Sequence, residues 1–330
     1  MTGLFYKKPG PNPYVGPRPL KLGEPLFGRD AEVRSLFHLL NAERIVLLYS
    51  PSGGGKSSLV EAGLRPILKR EGFDVWPTIR VNAEPLAGFA GNRYVSSTIA
   101  SLEEELPKNL RRDMDSLASC DLKQYMTARP RRKRAPSSVM LFFDQFEEVL
   151  TTDPLALKAK DQFFTQVGDL LCDRSVWALF AIREDYLAPL DPYAPLVPTQ
   201  FRNRFRLDLL GRDAACEAIK KPAHAAGREF AEADPHGVAE ELVQELATVL
   251  VQQVDGSLTP EVGPTVEPVH LQVVCQRLWN QMPADRRVVG FEDLRGYGDV
   301  NKALGLLHGV RRVGRLARRE SREVDSRVVQ

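Results

Sequence analysis

The 330-residue chain is long enough for two domains, and its 43% hydrophobic and 27% charged residues are ordinary for a globular protein. Its 45 basic and 43 acidic residues leave a net charge of +2, which favours neither a nucleic acid nor a membrane surface as partner. No apolar run approaches the ~20 residues of a membrane span, and the four scattered cysteines form no C-x-x-C pair. The sequence thus predicts a cytoplasmic protein with reduced thiols and no membrane partner.

The chain begins with a proline-rich stretch, residues 1–26, which predicts an extended arm because proline lacks the amide hydrogen that a helix needs. Helical periodicity starts directly after Phe27, Gly28 and Arg29, and Asp30 is the predicted N-cap of the first helix. The globular part is therefore expected to begin at residue 27.

An apolar run at residues 45–49 predicts a strand, and the glycine-rich turn that follows it leads into a helix. This is the layout of a phosphate-binding P-loop, in which backbone N–H groups and the helix N-terminus face an anion. The motif G-x-x-x-x-G-K-[ST] is met except at its first position, where Ser50 stands for glycine. The predicted phosphate ligands are Ser52, Gly53, Gly54, Gly55, Lys56, Ser57 and Ser58. Lys56 is expected to reach the β- and γ-phosphates, and the Ser57 hydroxyl to bind Mg²⁺.

Two further strands carry the partners of this loop. Residues 75–81 predict a strand that lies, in sequence, between the P-loop strand and the apolar strand at residues 139–143. Asp144 ends the latter strand, where a carboxylate helps to hold Mg²⁺. Gln145 fills the position at which many P-loop ATPases carry the catalytic glutamate. Glu147 and Glu148 follow, either as water-orienting acids or as acids that favour the first turn of a helix.

The remaining strands complete an α/β pattern. A helix predicted to start at Asp153-Pro154 leads to a buried strand at residues 176–182, which Arg183 ends. That position allows the guanidinium to sense the γ-phosphate, and it also allows a plain salt bridge to Asp185. Residues 205–209 predict a fifth strand. Residues 27–210 are therefore expected to form a P-loop NTPase domain of the ASCE/AAA+-like type, with a parallel sheet between helices.

From residue 211 the periodicity is helical throughout. Helices are predicted at residues 213–226, 237–254 and 269–282, with a loop over 255–268. The expected small domain, residues 211–308, is thus all-helical. Residues 309–330 hold seven Arg and three acidic residues, and their composition predicts a partly disordered tail.

Five stretches of the chain resemble the novel STAND NTPases, a group of signal-transducing P-loop ATPases. They are NPYVGPRPL at residues 12–20, FGRD at 27–30, YSPSGGGKSSL at 49–59, FFDQFEE at 142–148, and PVHLQ at 268–272 with Leu278-Trp279. The resemblance implies that residues 211–308 are a helical lid that ends in the start of a winged-helix-like segment. It also implies that Phe27, Gly28, Arg29 and Pro268 hold the nucleotide base.

The resemblance further implies a switch that binds ATP/ADP and Mg²⁺, turns ATP over slowly, and forms homo-oligomers in signalling or defence. The sensor repeats of longer relatives have no counterpart in this sequence, so we expect either a truncated switch module or a protein sensor or effector that acts in trans. Two alternatives remain open: a DNA-associated AAA+-like ATPase, supported only by the Arg-rich tail, and a nucleotide-binding scaffold without turnover, supported by Gln145. We expect a weak ATPase and no nucleic-acid partner.

Overall fold

A computed structural model describes residues 10–84, 91–112, 117, 120–130, 135–233, 236–253 and 257–297. The described residues fall into two compact units. The first unit is Pro19–Leu209, and the second combines the residues up to Arg18 with those from Leu210 onward. The predicted tail at residues 309–330 lies outside the described residues.

The first unit is built on a five-stranded sheet in which all paired strands are parallel. The strands are β1 Ile45–Ser50, β2 Asp74–Arg80, β3 Val139–Asp144, β4 Val176–Arg183 and β5 Arg204–Arg206, in the spatial order β2-β3-β4-β1-β5. Every residue of β3 is buried, as expected for a strand covered on both faces. The predicted α/β fold with a parallel sheet flanked by helices is confirmed.

Helices connect these strands and cover the sheet. They are α1 Asp30–Glu43, α2 Lys56–Ser58, α3 Arg65–Arg70, α4 Arg93–Glu104, α5 Leu122–Ala128, α6 Glu148–Thr151, α7 Leu157–Leu171 and α8 Leu187–Leu190. A π-helical segment, Leu59–Leu64, joins α2 to α3. Short 3₁₀ helices occupy Lys108–Leu110, Glu184–Tyr186 and Asp191–Leu196.

Alternate residues along the central strands divide between two hydrophobic cores. One core contains Leu47, Leu141 and Phe143 together with rings from α7, and the other contains Val46 and Leu48 together with apolar residues of α1. This division follows from the two-residue repeat of a strand, which points successive side chains to opposite faces. Packing on both faces therefore holds the sheet rigidly. The predicted site residues lie at the carboxyl edge of this sheet.

The second unit contains α9 Arg212–Ala225, α10 Val238–Ala247, α11 Pro268–Gln281 and α12 Phe291–Tyr297. It also contains three two-stranded ladders: β6 Leu210–Gly211 with β10 Thr265–Val266, β7 Glu229–Phe230 with β11 Val288–Val289, and β8 Thr248–Gln252 with β9 Leu258–Val262. The prediction of an all-helical domain is therefore wrong in part. The helix predicted for residues 237–254 ends at Ala247, because the β-branched run that follows pairs as a strand.

Two predicted helix starts are also wrong. Asp30 is the first residue of α1, and its N-cap is Arg29, which makes no side-chain capping bond. The helix predicted at Asp153 begins instead as α7 at Leu157, because Asp153 takes a left-handed backbone conformation with φ 47°. Aspartate is one of the few residues that tolerate this conformation, so the same side chain suits both a cap and a turn.

The N-terminal segment forms no helix or strand over residues 10–29. Within the second unit, Tyr14 is 2% exposed, and its hydroxyl donates to the carbonyl oxygen of Ile219 over 2.6 Å. Its ring packs edge-on against Trp279, with centroids 6.0 Å apart. An aromatic anchor thus holds this part of the arm. Within the described residues, no helix combines the length and the apolar character needed to cross a membrane.

Candidate functional site

The loop between β1 and α2 has a backbone conformation that favours glycine. Gly53 and Gly55 have φ values of 81° and 91°, which residues with a Cβ atom rarely adopt. Gly54 is tightly packed, because a Cβ there would lie 2.7 Å from Ser50 Oγ. Ser52 is exposed on the loop. The helical stretch that starts at Lys56 directs its free N–H groups toward this loop.

The Lys56 ammonium is oriented by the residue that breaks the glycine motif. Lys56 Nζ donates to Ser50 Oγ over 2.8 Å, and that hydroxyl donates to the carbonyl oxygen of Pro51, also over 2.8 Å. Burial lowers the pKa of Lys56, and the nearby carboxylates of Glu147 and Asp144 oppose this effect. The sequence suggested no role for Ser50, and the structure shows that its hydroxyl holds the ammonium group of Lys56.

Ser57 and Asp144 bring the P-loop and β3 together. The Ser57 hydroxyl donates to Asp144 Oδ2 over 2.8 Å, and Oδ1 accepts the Gln145 backbone N–H over 2.9 Å. A hydroxyl and a carboxylate are hard oxygen ligands, which fit Mg²⁺ that is otherwise bound by water and phosphate. Among the described residues, no group of three or more His, Cys, Asp or Glu is arranged to hold a metal ion.

Arg80 also contacts Asp144, and the sequence did not identify it. Arg80 ends β2 and is the register partner of Asp144 in β3. Its Nη2 donates to Asp144 Oδ2 over 2.9 Å, and its Nη1 donates to Gln145 Oε1. The sequence feature that could have identified Arg80 is its position at the carboxyl end of β2, which lies in sequence between the P-loop strand and β3.

The two candidate glutamates follow β3, with Glu147 in the turn and Glu148 as the first residue of α6. Phe146 anchors this turn, because it is fully buried and its N–H donates to the carbonyl oxygen of Ala181 over 2.9 Å. Glu147 Oε2 accepts the Arg183 backbone N–H over 3.3 Å. Burial raises the pKa of Glu148, and the positive charge of Arg80 opposes the rise. The two acids therefore have different environments although they are adjacent in sequence.

Arg183 ends β4 directly beside the P-loop strand, since its register partner in β1 is Ser50. Its Nη2 donates to the Asp185 carboxylate, so the salt bridge allowed by the sequence is formed. The guanidinium also lies over the Tyr186 ring, 5.6 Å from the centroid. The structure thus places Arg183 at the loop with a carboxylate that fixes its side chain.

Of the predicted base-binding residues, Arg29 contacts the P-loop directly. It is 5% exposed, and its Nη2 donates to the carbonyl oxygens of Gly54 over 3.3 Å and Asp208 over 2.7 Å. Phe27 and Gly28 precede it in the loop before α1, where Gly28 has φ 73°. Ser58, by contrast, uses its hydroxyl to accept the Leu20 N–H over 3.0 Å.

Pro268 is the first residue of α11, where its fixed φ and missing N–H suit a helix start. It belongs to the second unit, whereas the P-loop belongs to the first. Its role at the nucleotide base stays a prediction.

The family comparison agrees with this arrangement. The family model described as novel STAND NTPase 1 matches residues 13–321. The chain belongs to this family. A search of curated proteins by sequence gives no match.

Two solved structures share the fold of this STAND NTPase. The Walker-type ATPase of Pyrococcus abyssi is 16% identical with a TM-score of 0.52, over 93% of this chain and 80% of that one. The ORC2 protein of Aeropyrum pernix, solved as ADPNP–ADP complexes, is 15% identical with a TM-score of 0.52, over 86% of this chain and 69% of that one. The STAND NTPase is thus a nucleotide-binding protein of the P-loop class by family and fold.

Proposed function

We propose that this STAND NTPase is an ATP-dependent molecular switch that hydrolyses ATP slowly. The observation that carries the proposal is the hydrogen bond between Ser57 and Asp144, which joins the P-loop to the carboxylate at the end of β3. Lys56 lies next to this pair, and the ammonium is held by Ser50. A triphosphate in the loop would meet backbone N–H groups, one cation and one metal-binding pair, which together neutralise its charge.

In this proposal each site residue has a defined task. The loop from Ser52 to Ser58 binds the phosphates, and Lys56 neutralises the β- and γ-phosphates. Ser57 and Asp144 would hold Mg²⁺, which would shield the phosphate charge. Phe27, Gly28 and Arg29 hold the nucleotide base. Arg183 senses the γ-phosphate from the end of β4.

Slow turnover follows from the residues near the attacking water. Gln145 is neutral, and its side-chain oxygen accepts a hydrogen bond from Arg80, so it is not free to take up a proton. We assign the catalytic base to Glu148, because the pKa of its carboxyl group is raised toward neutral pH, where a general base is most effective. Glu147 instead braces the turn through the N–H of Arg183.

A slowly hydrolysed nucleotide suits signalling better than metabolism, since the ATP-bound conformation persists long enough for a partner protein to bind it. We therefore place the chain in cytoplasmic signal transduction or defence, with ATP binding coupled to conformational change and homo-oligomerisation. A protein sensor or effector in trans supplies the input or output.

The test compares nucleotide binding, turnover and molecular size for the wild type, Lys56→Ala and Lys69→Ala. Lys69 is an exposed lysine of α3 and serves as the matched control. We expect Lys56→Ala to lose ATP binding measured by calorimetry, and Lys69→Ala to behave as wild type. Light scattering with and without ATP then reports oligomerisation. Tight ATP binding by Lys56→Ala would contradict the assigned site.

A scaffold without turnover is the second candidate, because Gln145 occupies the usual base position. ATP binding without phosphate release, and without a change of size, would favour this candidate over the switch. The DNA-associated alternative depends on the Arg-rich tail, which lies outside the described residues, and it stays a prediction.

A further inference from the structure

Arg80 lies at the metal-binding edge of the sheet but outside every motif identified in the sequence. Its side chain and that of Asp144 leave neighbouring strands at the same register position. The exposed fraction of the side chain is 38% for Arg80 and 9% for Asp144. Solvent therefore reaches the cation more readily than the carboxylate, and the guanidinium is able to move without disturbing the core.

Arg80 binds the oxygen that links the two halves of the proposed Mg²⁺ site. Asp144 Oδ2 accepts the Ser57 hydroxyl over 2.8 Å and the Arg80 guanidinium over 2.9 Å. Oδ1 is engaged by the backbone N–H of Gln145. The same atom, Asp144 Oδ2, thus accepts hydrogen bonds from both Ser57 and the Arg80 guanidinium.

A guanidinium and a divalent ion on the same carboxylate oxygen repel each other. The repulsion scales with the product of the charges, so it is twice that of two monovalent cations at the same distance. The attraction within a partly exposed Arg–Asp pair is weak, because water and salt screen it. Mg²⁺ and Arg80 therefore do not both keep full contact with Asp144.

We propose that Arg80 is a positioning residue that competes with Mg²⁺ for Asp144 and so sets the metal concentration at which the nucleotide site assembles. The inference rests on the proposed function, since it presupposes Mg²⁺ and ATP at the P-loop. Once displaced, Arg80 retains Gln145 as a partner at the turn that carries Glu148. Metal binding is thereby linked to the charge beside the proposed base.

A purely structural role makes a different prediction. If Arg80 only braced β2 against β3, its removal would lower the stability of the fold and leave the metal affinity unchanged. Competition instead predicts that removal of the charge increases the metal affinity. The sign of the change in metal affinity therefore separates the two roles.

The test is a titration of Mn²⁺ into the full chain with saturating β,γ-imido ATP, followed by electron paramagnetic resonance. Arg80→Ala and Arg80→Gln remove the charge, and Arg80→Lys retains it. Arg204→Ala is the matched control, because the Arg204 side chain is 40% exposed and pairs with Asp191 over 3.6 Å. We expect Mn²⁺ to bind about fivefold more tightly to the two neutral variants, which corresponds to an ion pair of about 1 kcal/mol. Arg80→Lys and Arg204→Ala should stay close to wild type.

Unchanged or weaker Mn²⁺ binding by the neutral variants would overturn the competition. Weaker binding of β,γ-imido ATP in excess EDTA would make Arg80 a phosphate ligand, and would overturn it as well. Circular dichroism verifies folding, and if Arg80→Ala fails to fold, the comparison of Arg80→Gln with Arg80→Lys decides. A wild type that binds neither Mn²⁺ nor the ATP analogue contradicts the proposed function itself. A wild type that binds both, with variants that match it, contradicts only the role of Arg80.

Discussion

Replacing Gly168 with alanine adds one methyl group within α7, where alanine ordinarily favours the helix. The packing predicts the opposite effect at this position. A Cβ atom on residue 168 would overlap the carbonyl oxygen of Leu196 and lie 3.1 Å from its carbonyl carbon. Those atoms belong to the backbone of a 3₁₀ helix, Asp191–Leu196, so they cannot turn aside as a flexible side chain would.

The magnitude follows from two opposing terms. Alanine gains about 1 kcal/mol over glycine in a helix interior. Forcing a methyl group into a packed backbone costs about 3 kcal/mol, the upper end of typical overpacking. The free energy of unfolding should therefore fall by about 2 kcal/mol, which lowers the Tm by roughly 4–8 °C for a unit of this size.

Thermal unfolding followed by circular dichroism measures this change. Gly296→Ala is the matched control, because Gly296 lies in α12 and a Cβ there would meet no atom within 4 Å. The control should melt at or slightly above the wild-type temperature, since only the helix propensity changes. A Gly168→Ala variant that also melts at or above wild type would refute the packing argument.

Two further predictions concern the turn after β3. Phe146 is fully buried, and its ring lies within 6.4 Å, centroid to centroid, of four other phenylalanine rings. Phe146→Ala should therefore lower the free energy of unfolding, measured by urea titration, by about 3–5 kcal/mol. Leu155→Ala, at a side chain that is 95% exposed, should change it by less than about 0.5 kcal/mol, and equal losses would contradict the burial argument. Because the pKa of Glu148 is raised, its carboxyl is protonated at a higher pH than an ordinary glutamate, and turnover should fall as the pH decreases through that raised pKa. Glu148→Gln should cut turnover by about 10²-fold or more, whereas Glu147→Gln should keep both activity and the acid limb of the pH profile; the reverse pattern would reassign the base.

Local patterns in the sequence predicted much of the first unit. The fully apolar run of β3 predicted a central parallel strand, because only a strand covered on both faces tolerates such a run. The glycines before Lys56 predicted a turn between strand and helix, and in that turn Gly53 and Gly55 have the positive φ that glycine allows. These signals are readable because each depends on a few consecutive residues.

Local patterns failed where a distant segment decided the structure. The run from Thr248 continued a helical period, yet it forms β8 because β9 supplies its hydrogen-bond partner. Asp153 had the chemistry of a helix cap, but the chain turns there in a left-handed conformation before α7 begins. Propensities at such positions differ by less than the energy of tertiary packing, so the packing decides.

The family, the order of strands and helices in the first unit, and the residue types of the predicted phosphate and metal site could all be read from the sequence. Which side chains meet across the sheet edge depends on the tertiary structure. Ser50 holds Lys56, and Arg80 shares Asp144 with Ser57. The last two contacts join residues that are 64 and 87 positions apart. Such distant residues come together only after the parallel sheet has formed. For that reason, no local sequence pattern predicts these contacts.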